Sequence, residues 1–167
     1  MGYYTAMLRR LLILLALLTL PAVASAAPTA PGFKVTTLDG KTVESRDLIG
    51  KKVIVLRFQA SYCKPCAKES AAFGRVVERY KDRDVVFVAV HVQDAMSDVR
   101  KFVKANNVTY PVGVDPRLVL GNRFGFKVSP YTVVIDRKGE MAQRLAGEGV
   151  PSRLPKILDG LLKPATS

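Results

Sequence analysis

Two almost uninterrupted apolar runs limit the folds open to this chain: VIVLRF at residues 53–58, broken only by Arg57, and VVFVAVHV at residues 85–92. A strand with one solvated face alternates apolar and polar residues, whereas a strand covered on both faces does not. Both runs therefore read as buried strands of a sheet with a layer on either side. Between them Cys66, Phe73, Val76, Val77 and Tyr80 fall on one helical face.

The rest of the chain extends this pattern. Residues 33–37 and 42–44 flank Asp39-Gly40, a hairpin-turn dipeptide. Beyond the second buried run, Val99, Phe102 and Val103 mark a helix that stops at Asn106-Asn107. Residues 111–115 form a short strand and residues 118–124 a short helix. Residues 131–135 form a strand, 136–139 a tight turn and 141–145 a strand returning antiparallel, broken by Gly147 and Gly149. Leu154, Ile157, Leu158, Leu161 and Leu162 then close the fold with an amphipathic helix. The order predicts an α/β three-layer sandwich, its central mixed sheet parallel in the middle with an antiparallel edge and helices on both faces.

The N-terminus follows different rules. Arg9-Arg10, the apolar run of residues 11–20, Pro21 and Ala24-Ser25-Ala26 have the order of a secretory signal: basic, apolar, then small residues for cleavage. The apolar run is short for a membrane span. The expectation is a signal peptide over residues 1–26, or an N-terminal anchor, then a linker over 27–32 and one domain over 33–163. The address this implies is the periplasm. The whole chain carries a formal charge of +12. Its basic residues are scattered among acids and form no block or nucleic-acid motif, so solvated surface is the default and nucleic acid is not an expected partner.

The chain has two cysteines, Cys63 and Cys66. A bridge between them would close so small a loop that it restrains the unfolded chain very little. In an oxidising compartment such a pair needs an explanation other than stability, and redox or metal chemistry is what is left. Cys63-Lys64-Pro65-Cys66 lies where a buried strand ends and a helix begins. There the free N–H groups and positive dipole end of the helix favour thiolate at Cys63. Cys66, one turn in, is placed to resolve a mixed disulfide. Pro65 needs no backbone donor so early in a helix.

These residues resemble the thioredoxin superfamily, and within it the TlpA/ResA-like periplasmic thiol–disulfide oxidoreductases. VIVLRFQASYCKPCAKE, VVFVAVHVQD with VTYPVGVD, and VSPYTVVIDRKGEM carry the likeness over most of the chain. The resemblance implies a thioredoxin-like fold and a redox-active Cys63–Cys66 disulfide, with no other cofactor. It also implies a cis bond between Ser129 and Pro130, beside the cysteine pair. The backbone of Ser129 would then offer an edge for an extended substrate segment. A trans proline opening the strand is the plainer alternative. Tyr62, Lys64 and Pro65 would border the same substrate site.

Some positions depart from that family's pattern. Tyr62 stands where Trp is common, and Gln59 replaces a usual aromatic. Arg57 occupies the place of a buried acid that helps move the proton of the second thiol. If it points at the thiols it should stabilise thiolate and make the couple more oxidising. Otherwise it snorkels to a carboxylate or to the sheet edge. Glu69 matches an acid that ResA-like members carry and that contributes to active-site acidity; its plain alternative is an exposed glutamate near Lys68 and Arg75. His91, the single histidine, could ligate a metal beside two thiolates but reads first as a satisfied core residue.

The function expected is disulfide exchange with exported proteins bearing thiols or disulfides. Cys63 attacks, Cys66 resolves, and Pro130 with Ser129 presents the substrate. A reductant fed by a membrane thiol electron donor is expected, acting for example in cytochrome c maturation, as a monomer without a metal. Two rivals come from other classes. A Cu(I) metallochaperone would use both thiolates, but such proteins usually space their cysteines by three residues. A peroxidase would need a proline and a threonine at offsets that QASYCK lacks.

Overall fold

The computed structural model describes residues 27–163. The export-signal or anchor expectation falls on residues 1–26 and lies outside the described residues. Among the described residues no helix is long and apolar enough to cross a membrane.

The two apolar runs become adjacent central strands. β3 (Val53–Gln59) pairs in parallel with β4 (Val85–Val92), and β4 in parallel with β5 (Val112–Asp115). On its other side β3 pairs antiparallel with β6 (Tyr131–Ile135), which pairs antiparallel with β7 (Met141–Ala146). The five-stranded order is therefore β5-β4-β3-β6-β7. The sheet is mixed, but the change of direction occurs at the central strand itself rather than at one edge. The expected hairpin, β1 (Lys34–Thr36) and β2 (Thr42–Glu44), forms a separate two-stranded sheet. It leans on β5, where a Cβ on Gly113 would lie 2.2 Å from Val35 Cγ1, so glycine is what permits the approach.

Alternation along β3 assigns its two faces. Val53 and Val55 pack with Phe73, Val76 and Tyr80 of α2 (Lys64–Tyr80), Val99 of α3 (Met96–Ala105), and Leu154 and Leu158 of α5 (Val150–Leu162). Ile54, Leu56 and Phe58 pack with Phe33 and Val35 of the hairpin side and with Phe124 beside α4 (Val119–Arg123). Burying side chains of this size contributes about 1.5–3 kcal/mol each relative to exposure. One face thus carries the long helices; the other carries short elements, including α1 (Ser45–Leu48), which the sequence pattern did not announce. Four residues are too few to display a helical period. Ser45 holds that turn in place, its Oγ accepting Phe33 N–H at 2.9 Å.

Residues 27–32, expected as a linker, are partly built into the fold. Ala30 N–H donates to Gly139 at 2.8 Å, Met141 N–H donates to Pro28 at 2.8 Å, and Thr29 bridges Glu140. The edge strand β7 leaves backbone groups unpaired at its start, and this segment satisfies them.

Candidate active site

β3 delivers the chain to the front of α2. At the turn Cys63 N–H donates to Ala60 at 3.1 Å, and Cys63 becomes the N-cap of α2, its Sγ accepting Cys66 N–H at 3.2 Å. Pro65 occupies the first turn, where no intrahelical donor is needed. The two cysteines are joined in a disulfide with Cα atoms 5.2 Å apart. Cys63 retains 7% of its surface and Cys66 none, so an incoming sulfur can reach Cys63 alone.

An open groove of about 520 Å³ runs past Cys63. Tyr62, Lys64 and Pro65 form one wall; Gln93, Phe126, Lys127, Val128 and Ser129 form the other. Tyr62 and Val128 are both strongly exposed for apolar side chains. The Ser129–Pro130 bond is cis, and Pro130 is buried behind the groove while Ser129 lines it. Tyr62, Lys64, Pro65 and Ser129 therefore meet around Cys63, on two segments far apart in sequence. Among the described residues no carboxylate lines this groove, and Lys64 and Lys127 set its charge.

Beneath the loop the odd residues of β3 continue into a buried polar layer. Arg57 is fully buried, and of the expected destinations it takes the carboxylate, though inside the protein rather than at the surface. It does not snorkel outward and is held by a carboxylate inside the protein: Nη2 donates to Glu69 Oε2 at 2.9 Å. Nε reaches Gln59 Oε1 at 3.3 Å, and the guanidinium stacks 4.9 Å from the Phe73 ring centroid. Glu69 is correspondingly not an exposed helix glutamate. It is 12% exposed, accepts Gly149 N–H with its second oxygen, and leaves Lys68 to pair with Glu148. A carboxylate is needed there because an unpaired buried guanidinium is costly.

The layer continues across to β4. Parallel pairing sets Gln59 beside His91, and Gln59 Nε2 lies 2.8 Å from His91 Nε2. His91 Nδ1 lies 2.8 Å from Asp94 Oδ2. Asp94 in turn accepts Ser61 N–H at 2.6 Å and Ser61 Oγ–H at 2.7 Å. Burial holds His91 below the usual imidazole range, against the opposing pull of Asp94. Both ring nitrogens are engaged by protein partners, so His91 offers no lone pair to a metal between the cysteines. The sequence places His91 in the core but does not name its partners Gln59 and Asp94, nor the Ser61 that Asp94 holds. The available signal was a polar residue at matching positions of two adjacent buried strands, followed by an acid three residues after the histidine.

Residues 27–144 match the AhpC/TSA family. The chain is 32% identical over 129 residues to a thiol–disulfide oxidoreductase ResA of Bacillus cereus, covering 77% of this chain and 74% of that protein. It is 32% identical over 137 residues to ResA of Bacillus thuringiensis, covering 82% and 76%. Among solved structures it resembles a thiol:disulfide interchange protein of the thioredoxin family from Chlorobium tepidum, with a TM-score of 0.74 at 26% identity over 84% of this chain and all of that one. A DsbF homologue from Corynebacterium diphtheriae gives a TM-score of 0.71 at 28% identity over 83% and 89%. A thioredoxin-like fold with a bonded cysteine pair at a helix N-terminus and this kinship lead to one assignment: the chain belongs to the AhpC/TSA family of thioredoxin-fold proteins and is a thiol–disulfide oxidoreductase related to ResA.

Proposed function

We propose that this enzyme exchanges disulfides with exported proteins through Cys63-Lys64-Pro65-Cys66 and that it acts as a reductant. The observation that carries the reading is the difference in access between the two sulfurs at the lip of the groove. In the reduced enzyme the Cys63 thiolate attacks one sulfur of a partner disulfide. A mixed disulfide forms, and the partner's other sulfur leaves as a thiolate that takes a proton from solvent. Cys66, deprotonated in its turn, attacks Cys63 Sγ; the partner's second thiolate leaves, and the Cys63–Cys66 bond is restored. Two electrons have passed to the partner, so a dithiol donor must return them. A membrane thiol carrier is the expected source, and apocytochrome c is a candidate recipient.

The front of α2 supports the first step, because its free N–H groups and dipole favour the thiolate. The groove wall at Ser129 and Pro130 supports alignment of an extended segment. The direction rests on the polar layer: Glu69 offsets the Arg57 cation, so no uncompensated positive charge beneath the thiols favours the reduced form. The signal-like N-terminus supports action in the periplasm, and basic residues scattered among acids speak against a nucleic-acid partner. A Cys66→Ala protein expressed with its N-terminus intact should trap mixed disulfides with periplasmic proteins. Its parent, equilibrated against a glutathione series, should show a potential nearer thioredoxin's, about −270 mV, than that of the strong oxidant DsbA, about −120 mV. A potential at the oxidising end would reverse the proposed direction, and an absence of trapped partners would overturn the exchange mechanism.

A further inference from the structure

The chain of buried polar groups between Glu69 and Ser61 has a fixed polarity. Arg57 can only donate, so the Gln59 oxygen faces it across 3.3 Å. The Gln59 amide nitrogen must then donate to His91 Nε2 over 2.8 Å. His91 therefore carries its proton on Nδ1 and donates it to Asp94 Oδ2, also over 2.8 Å. Ser61 adds two more donors, its N–H to Oδ2 and its hydroxyl to Oδ1. Asp94 is 6% exposed and His91 fully buried, so these bonds form with little competition from water.

Ser61 is two residues before Cys63. Tyr62 between them is 69% exposed and has little packing to restrain the loop. The Cys63 N–H to Ala60 bond closes the turn, and the two-pronged grip of Asp94 on Ser61 fixes it to the sheet. We propose that Asp94 is the positioning residue of the redox loop: it holds Ser61, and thereby Cys63, against the N-terminus of α2, while His91 and Gln59 keep its carboxylate in register. The inference rests on Cys63 being the attacking sulfur. Its physical content is geometric. Helix N–H groups stabilise a thiolate only within hydrogen-bonding range, and a small displacement of a reacting atom is costly in rate.

Three single variants and one double variant test this in the full chain. In Asp94→Asn the amide oxygen can still accept Ser61 N–H and His91 Nδ1–H, and its NH₂ can donate to the Ser61 hydroxyl, so the grip survives without the charge. That protein should react at Cys63 within about twofold of the parent. Asp94→Ala loses the grip and should slow alkylation of Cys63 and disulfide exchange by about tenfold to a hundredfold, with the Cys63 pKa raised. Ser61→Ala removes one of the Ser61 bonds and should fall between them. Adding Ser61→Ala to Asp94→Ala should cost nothing further, because both act through one contact. A role confined to stability would lower the melting temperature while leaving the Cys63 pKa and rate unchanged, and would overturn the proposal. An Asp94→Asn protein as slow as Asp94→Ala would overturn it too, since the field of the charge would then be responsible. If Asp94→Ala does not fold, Ser61→Ala decides: a rate equal to the parent's sinks the idea. A Cys63→Ala protein that still exchanges disulfides would sink the underlying assignment instead.

Discussion

Arg57 and Glu69 meet inside the protein, Nη2 to Oε2 at 2.9 Å, one from the central strand and the other from the second turn of the redox helix. The guanidinium has no exposed surface, and its Nη1 lacks a partner among the described residues. Removing the carboxylate would leave a buried cation unpaired, a change that costs about 3–5 kcal/mol where it has been measured in other proteins. Glu69→Gln should therefore lower the unfolding free energy by an amount of that order, read from urea titrations. It should also raise the reduction potential, because the exposed positive field favours thiolate over disulfide. Equal stability and equal potential would mean that the pair is not maintained in solution.

The burial difference between the cysteines makes a separate prediction. In reduced protein, limiting iodoacetamide near neutral pH should label Cys63 and spare Cys66, as mapped by mass spectrometry. Cys66 has no exposed surface, whereas Cys63 is the N-cap whose sulfur accepts a hydrogen bond from the free N–H groups of the first turn. Predominant labelling of Cys66 would reverse the assigned roles.

Much of this arrangement was legible in the sequence, and the reasons for the exceptions are physical. Continuous apolar runs identify doubly covered strands such as residues 53–58 and 85–92, and a cysteine pair directly after one of them locates the site. The direction of β6 against β3 leaves no mark on composition, because a strand buried on both faces reads alike in either direction. Arg57 shows a related limit. A lone cation in an apolar run signals a partner without naming it, and Glu69, twelve residues on, comes into reach only when α2 folds back across the sheet. The His91–Asp94 contact was nearer at hand, at a separation of three residues. Yet a histidine in a strand and an acid in the loop beyond it meet only because Gln93, between them, takes a left-handed φ of 55°.

Charge in the groove should select partners. Lys64 and Lys127 flank Cys63 with no acid among the lining residues. A disulfide peptide carrying Asp or Glu beside its cysteine should react several-fold faster than its lysine counterpart at low salt, and the gap should close as ionic strength rises. Lys64→Glu with Lys127→Glu should reverse the preference. Stopped-flow exchange with the two peptides measures this, and equal rates at low salt would show that the lysines are only solvated surface.

Acid sensitivity should follow from His91. Its folded-state pKa lies below the ordinary histidine value of 6.5 because burial disfavours the imidazolium, an effect that Asp94 only partly offsets. Among the described residues the groups facing the ring are Asp94, Gln59 and Phe102, whose ring lies 4.9 Å away, and none of these is a cation. As pH falls through 6.5 the unfolded chain takes up a proton at this position while the folded protein does not. The contribution of His91 to stability is thus complete above that value and declines below it, by at most about 1.4 kcal/mol per pH unit. The decline ends where the folded histidine also becomes protonated. Urea titrations from pH 7.5 down to 5 should show this slope in the parent. His91→Gln cannot gain a charge and should lose that part of the slope, although its stability at pH 7.5 will be lower because the Asp94 contact is altered. Identical pH dependence in the two proteins would mean that the imidazole titrates in the folded state much as it does in the unfolded chain, and that its burial is not maintained in solution.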